Sequence, residues 1–328
     1  MTESTKKTRW PAEWEVHAAT WMAFPCREEI WSNGVDVAQI KFAEVANTIS
    51  EFEPVKMLVS TKHQAFARRK LSSAIEIIPT ELDDSWTRDT APIWVKESGL
   101  YKALDFTFNA WGNKFSPYSN DALIAKNVAR LCNSEREKVE MVLEGGSIHS
   151  NGKGRLLTTK ECLLNPNRNP QMSQQAIEKQ LADSLGVEEV IWLEKGITGD
   201  WDTDGHIDNI ACFVSDKTIL TQKCSRESEN YSIYQDNQRI ILDHGCELVE
   251  ITEPQARYID GERVPLSYIN FYIANDLVLI PRFGVKQDDE AYNVIAELFP
   301  ERKTISIDAN DILVGGGGIH CITMQQPG

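Results

Sequence analysis

Ile177-Glu178-Lys179-Gln180-Leu181-Ala182-Asp183-Ser184-Leu185-Gly186-Val187-Glu188-Glu189-Val190-Ile191-Trp192-Leu193 holds one complete structural unit. Ile177, Leu181 and Leu185 recur at helical spacing, so their side chains share one face of a helix. Gly186 ends that helix, because glycine adopts the left-handed conformation of a helix terminus at little cost. Val187 to Leu193 follows as an apolar run of strand length. The same order of helix, short turn and strand recurs on both sides. Phe42, Val45, Ile49 and Phe52 lead past Pro54 to a strand at Val55 to Ser60, and Ile124, Val128 and Leu131 lead to Val139 to Leu143. Tyr231, Tyr234 and Ile241 lead past Gly245 to Glu247 to Ile251. Ala291, Ile295 and Leu298 lead past Pro300 to Thr304 to Ile307. Further strands are expected within Ala18 to Pro25 and at Ile210 to Val214, Thr218 to Thr221 and Tyr268 to Leu279.

Five units are therefore visible, the last four repeating roughly every 50 to 60 residues. Repetition at that period points to a radial array or propeller, in which each unit buries its apolar face against the next. A doubly wound parallel sheet also alternates strands and helices. That fold usually carries a glycine-rich phosphate loop after its first strand, and the first half of this chain has no G-x-G-x-x-G. No linker interrupts the pattern, so residues 10–328 read as one catalytic α/β domain behind a polar, flexible tail at residues 1–9.

Composition narrows the function. A 41% hydrophobic and 25% charged chain of 328 residues is an ordinary globular one, and no apolar run is long enough to span a bilayer. The formal charge of −15 leaves no basic surplus for phosphates, which excludes nucleic acid as a partner. It suits a small cationic substrate drawn in by the overall field. Seven scattered cysteines without a CxxC pair argue against a disulfide framework and a zinc site. The polar start MTESTKKTRW lacks the apolar segment of a secretory signal, so a cytoplasmic location with reduced thiols is expected.

Four stretches carry chemistry. Gly315-Gly316-Gly317-Gly318-Ile319-His320-Cys321 strips every Cβ from the backbone ahead of a cysteine, so another group can approach closely. Asp83-Asp84-Ser85-Trp86-Thr87-Arg88-Asp89 offers Trp86 as an apolar wall and Asp89 as a carboxylate for a cation. Leu143-Glu144-Gly145-Gly146 places a glutamate at a strand end with free space around it. Asp200-Trp201-Asp202-Thr203-Asp204-Gly205-His206-Ile207-Asp208 imitates a calcium loop, but its twelfth position is Ala211 where a bidentate glutamate is required. Strand alternation instead puts His206 and Asp208 on one face, where they can act on one ligand. His320 would point away from Cys321 in an extended segment, which leaves His206 as the better base. A thiol and a histidine need only one acid to orient the histidine; two further carboxylates would repel an oxyanion, and would welcome a planar cation with paired N–H donors, a guanidinium.

These residues fall within motifs that resemble the agmatine deiminase family, a branch of the guanidine-modifying superfamily that also includes bacterial peptidylarginine deiminases. The motifs are PAEWEVH…TWMAFP, DDSWTRDTAPIW, LEGGSIHSNGKG, DTDGHIDN, NFYIAN and GGGGIHCITMQQP, spread over nearly the whole chain. The resemblance implies a five-bladed pseudo-symmetric α/β propeller, the pentein fold. It further implies cofactor-free and metal-free hydrolysis of a guanidinium to a ureido group and ammonia. Carried over residue by residue, Cys321 matches the nucleophile, His206 the general acid and base, and Glu144 its carboxylate partner. Asp89 and Asp208 match the pair that grips the guanidinium, and Trp86 the pocket wall. Two positions depart from many relatives: Gly318 stands in place of Asn, and Ile322-Thr323-Met324-Gln325 in place of ITQQ. The substrate expected is agmatine, giving N-carbamoylputrescine for polyamine and putrescine biosynthesis. Free, methylated or peptidyl arginine is the alternative substrate, and a non-catalytic binding module on the same fold is a third reading. The partner is then a small cationic guanidine, with no nucleic acid and no membrane; a homo-oligomer is compatible with the sequence.

Overall fold

The computed structural model describes residues 8–259 and 261–328. Five helices of eight residues or more stand out among them: α1 (Val35–Ile49), α2 (Ile124–Leu131), α3 (Gln174–Leu185), α4 (Tyr231–Asp243) and α5 (Asp288–Leu298). Each bridges two parallel strands of one small sheet, and an antiparallel strand completes that sheet on the other side. In the α3 unit, Arg155–Thr159 pairs in parallel with Glu189–Leu193 and antiparallel with Ile148–Ser150. The α4 and α5 units repeat this with Thr218–Lys223 and Leu277–Arg282 as their middle strands. Five such sheets replace the single continuous one of a doubly wound fold.

The fifth unit is assembled from both ends of the chain. Met324–Pro327 pairs antiparallel with His17–Ala23, which runs parallel to Val55–Val59 across α1. Of the tail expected at residues 1–9, residues 1–7 lie outside the described residues, while Thr8 and Arg9 pair antiparallel with Glu97 and Lys96.

Two expected strands differ in extent for physical reasons. The strand expected at Val139 begins at Glu135, and its first four residues are charged and exposed on the outer strand of a sheet, where no apolar pattern marks them. The stretch Tyr268 to Leu279 is no single strand but a hairpin of Tyr272–Ala274 and Leu277–Arg282, turned at Asn275-Asp276 with Asp276 at φ 54°. No helix among the described residues is long and apolar enough to cross a membrane. The largest apolar cluster extends from α1 and α5 to Trp86, Trp111 and Cys321, so the thiol belongs to the same packed core as these two helices.

Candidate active site

Trp86 precedes the short helix Thr87–Thr90, and Asp89 lies within it. Both Asp89 oxygens are held: Gly146 N donates to Oδ1 at 2.8 Å and Trp111 Nε1 to Oδ2 at 2.9 Å. Glu144 follows the strand Glu135–Val142, fully buried, and its Oε1 accepts from Arg168 Nε at 2.8 Å. Its Oε2 lies 3.8 Å from His206 Nε2, and His206 Nδ1 lies 3.9 Å from Asp89 Oδ1. Asp208 Oδ2 is 2.9 Å from His320 Nδ1, and the Cys321 thiol points to the same oxygen at 3.6 Å. Asn270 Nδ2 donates to the sulfur at 3.2 Å.

The glycines are what allow this convergence. A Cβ on Gly146 would stand 2.6 Å from His206 Nδ1, 2.9 Å from Asp89 Oδ1 and 3.0 Å from Asp208 Oδ2, so those three groups close around its bare Cα. A Cβ on Gly317 would strike the Trp86 ring at 2.4 Å, and one on Gly318 would meet Asn270 Oδ1 at 2.3 Å. The open space expected beside the thiol is therefore filled on one side by Trp86, which stacks on Trp31 at 6.0 Å between ring centroids, and by Asn270. The departure at Gly318 has a local reason in this chain, since a side chain there would displace the donor to the sulfur. Met324 is buried, with its sulfur 3.6 Å from Arg88 Nη1.

A pocket of about 380 Å³, its open mouth included, ends at Cys321. Trp86, Trp111, Phe115 and Ile30 form its apolar walls; Asp89, Asp202 and Asp84, the last 3.5 Å from Arg27 Nη1, supply carboxylates, and among the described residues no lysine or arginine lines it. A larger cavity of about 540 Å³ lies behind Arg88, Gly145 and His320 and does not reach the thiol.

Electrostatics follow from the burial. Desolvation, then Asp208 and Asp89, push the Cys321 thiol well above its ordinary range and so favour its protonated form. Desolvation would push His206 down, but Asp89, Cys162 and Glu144 outweigh it and hold the imidazole well above its usual range. Burial raises Asp89, reinforced by Asp208 and Glu144 and opposed by His206. Glu144 stays below the usual range because Arg168 and His206 overcome its desolvation. Glu144 Oε2, both His206 nitrogens and Asp208 Oδ1 are buried without a hydrogen-bond partner among the described residues. A buried polar group left so is costly unless something is meant to pair with it.

The model of the Porphyromonas-type peptidyl-arginine deiminase family matches residues 9–327. A Legionella pneumophila (strain Paris) relative is 43% identical, over 97% of this chain and 94% of that one. The agmatine deiminase of Pseudomonas aeruginosa (strain LESB58) is 37% identical, over 97% and 95% of the two chains. The chain belongs to the agmatine deiminase family. The solved agmatine deiminase of Enterococcus faecalis superposes with a TM-score of 0.93 at 32% identity, over 98% of this chain and 96% of that one.

In this member of the agmatine deiminase family the five chemical residues named from sequence all converge, with Trp86 beside them, but one reason for expecting this was wrong. His206 and Asp208 do not alternate on a strand: Ile207–Asn209 is a turn of 3-10 helix and the strand starts at Ala211. They meet because that turn wraps around Gly146. Arg88 does not pair with Asp89 but points away, with Nη1 donating to Gln325 Oε1 at 2.8 Å and Nη2 lying 3.7 Å from Glu13 Oε2. Two of the calcium-like carboxylates are engaged within the protein, Asp200 by Thr203 and Asp204 by Lys114 and Arg168, while Asp202 lines the pocket. Sequence reasoning gave no role to Trp111, Arg168 or Asn270. Only Asn270 lay in a motif carrying the resemblance, and nothing in that motif points to a thiol.

Proposed function

We propose that this protein hydrolyses agmatine to N-carbamoylputrescine and ammonia through a covalent thiouronium on Cys321. The observation that carries the proposal is the buried carboxylate set around one thiol, with Asp208 Oδ1 left without a partner. Asp89 and Asp208 grip the guanidinium, since a carboxylate oxygen can accept more than one hydrogen bond. The bound cation offsets the two charges that hold the thiol neutral, so the thiol releases its proton to solvent as the substrate binds, leaving the thiolate. Sulfur attacks the guanidinium carbon to give a neutral tetrahedral adduct. Protonated His206, held by Glu144, gives its proton to the departing nitrogen, and the C–N bond breaks to leave ammonia and the thiouronium. A water then loses a proton to His206 as its oxygen bonds to carbon. The C–S bond breaks, the thiolate returns, and the spare proton leaves with ammonia. The charge of the substrate supplies the electrophile.

Asp202, an exposed carboxylate lining the pocket, suits the distal ammonium of agmatine. The α-carboxylate of arginine would find no basic residue in the pocket lining and would be costly to desolvate. We place this activity in the cytoplasm, in polyamine formation, and read the five sheets as the blades of one catalytic propeller domain over residues 10–328. Ammonia release from agmatine, free arginine and a blocked arginine peptide tests the reading. Agmatine should be preferred by at least about tenfold in kcat/KM, about 1.4 kcal/mol, and Cys321→Ser should release nothing. Equal or inverted preference overturns the substrate, and turnover by the pure variant overturns the nucleophile.

A further inference from the structure

The mechanism leaves one buried histidine unused. His320 neighbours the thiol in sequence, and each of its ring nitrogens faces a carboxylate: Nδ1 lies 2.9 Å from Asp208 Oδ2 and Nε2 lies 2.9 Å from Glu13 Oε2. All three side chains are buried. An ionised carboxylate only accepts, so satisfying both contacts requires a proton on both nitrogens, which makes the ring an imidazolium. The geometry around it is fixed. Ile273 N donates to Glu13 Oε1 at 2.9 Å, and His320 N donates to Asn270 Oδ1 at 2.9 Å. Asp208 Oδ2 is thus committed to His320 and the thiol, and Oδ1 is its one oxygen without a partner among the described residues.

We propose that Glu13 and His320 are positioning residues that hold a permanent cation behind Asp208, keeping it ionised and leaving Oδ1 for the guanidinium. The proposal rests on the reading of Asp208 as a guanidinium ligand. It assigns a task to Glu13, buried in the Trp10-Pro11-Ala12-Glu13-Trp14 opening far from Cys321 in sequence. The buried Cys212 thiol faces both Glu13 and Asp208, and Tyr272 and Arg302 face Glu13. Asp208 faces His320, His206, Arg88, Asp89 and Cys321, with Asn270 alongside. His320 faces Arg88, Glu13, Asp208 and His149. His149 accepts from Phe213 N at 3.2 Å and is pressed by burial to about 4, so it is neutral and does not substitute for the cation. Desolvation works against an ionised Asp208, yet His320, His206 and Arg88 hold it below the usual range.

The sign follows directly. A depressed carboxyl pKa keeps Asp208 ionised well below neutral pH, and removing the cation raises that pKa, so Asp208 loses its charge at a higher pH on the acid side. An opposite charge at this range shifts a carboxyl by roughly one to three units. Full-length Glu13→Gln and His320→Gln, assayed with agmatine from pH 4 to 9, should raise the pH at which kcat/KM falls off along its acid limb by at least about one unit. KM should rise as the pH falls from 7 to 5, with kcat affected less, and should return towards the wild-type value above pH 7. A merely structural role would lower activity without moving the limb, and an unshifted limb overturns the proposal. Should the variants fail to fold, the wild type decides through its histidine ¹⁵N shifts. His320 should stay doubly protonated from pH 6 to 8, and a neutral tautomer there overturns the proposal. The spectrum needs no turnover, so it remains decisive even if agmatine proves not to be the substrate.

Discussion

At the scale of single residues, the site is built as much by missing atoms as by reactive ones. Gly146 sits where His206, Asp89 and Asp208 converge, and a methyl there would come within 3.0 Å of all three. Gly146→Ala should cost at least about 100-fold in kcat/KM, because displacements of about 1 Å in a reacting constellation have effects of that size. Steady-state kinetics with agmatine check it, and near-normal kcat/KM would mean that the three groups do not need to close around this Cα. The same residues explain what could be read from sequence. Glu144, Asp89, Asp208, His206 and Cys321 stood out because each is a reactive type beside glycines or in an acidic run with no structural purpose. Trp111, Arg168 and Asn270 are ordinary in their own segments. They acquire roles only through partners far away in the chain, such as Asp89, 22 positions from Trp111, and Cys321, 51 positions from Asn270.

At the scale of elements, helices were legible and irregular turns were not. All five helices fall where apolar spacing places them, since burial of one face is what stabilises a helix in a folded chain. By contrast, Ala110 to Asn113 run through four consecutive left-handed conformations, with φ of 53°, 54°, 85° and 63°. Left-handed backbone at a non-glycine residue costs on the order of 1–3 kcal/mol. Here it turns the Trp111 indole onto Asp89, a need invisible in local sequence. The turn carrying His206 and Asp208 was misread for a related reason: alternation is a rule for strands, and this segment is not one. Gly186, the stop that made the α3 unit recognisable, has φ 70°, and a Cβ there would lie 2.0 Å from Thr8 O. Gly186→Ala should therefore destabilise the protein by more than about 1 kcal/mol, through both the backbone penalty and displacement of the Thr8–Arg9 strand. Denaturant unfolding measures this. An unchanged midpoint would mean that the N-terminal strand yields freely and that the left-handed stop contributes little.

At the scale of the whole molecule, the two ends of the chain and its net charge serve the same pocket. Met324–Pro327 closes onto His17–Ala23 only three residues beyond Cys321, so docking of the last strand also anchors the thiol segment. The order of the five units was readable from periodicity. This closure was not, because a four-residue strand ending in proline carries no alternating signal of its own. The formal charge of −15 acts over longer distances. Agmatine carries two positive charges and arginine a net of one, so the protein's field should favour the encounter with agmatine more strongly. Raising ionic strength from about 0.01 M to 0.15 M shortens the screening length from about 30 Å to about 8 Å. That leaves the buried carboxylates effective at contact while weakening the long-range field. Over that range kcat/KM for agmatine should fall several-fold, with kcat nearly constant, and the fall should be smaller for arginine. Were kcat/KM independent of salt, the acidic exterior would have no part in substrate capture, and recognition would rest on the pocket carboxylates alone. Equal sensitivity for the two substrates would point instead to screening of the guanidinium contacts themselves, because that end is common to both.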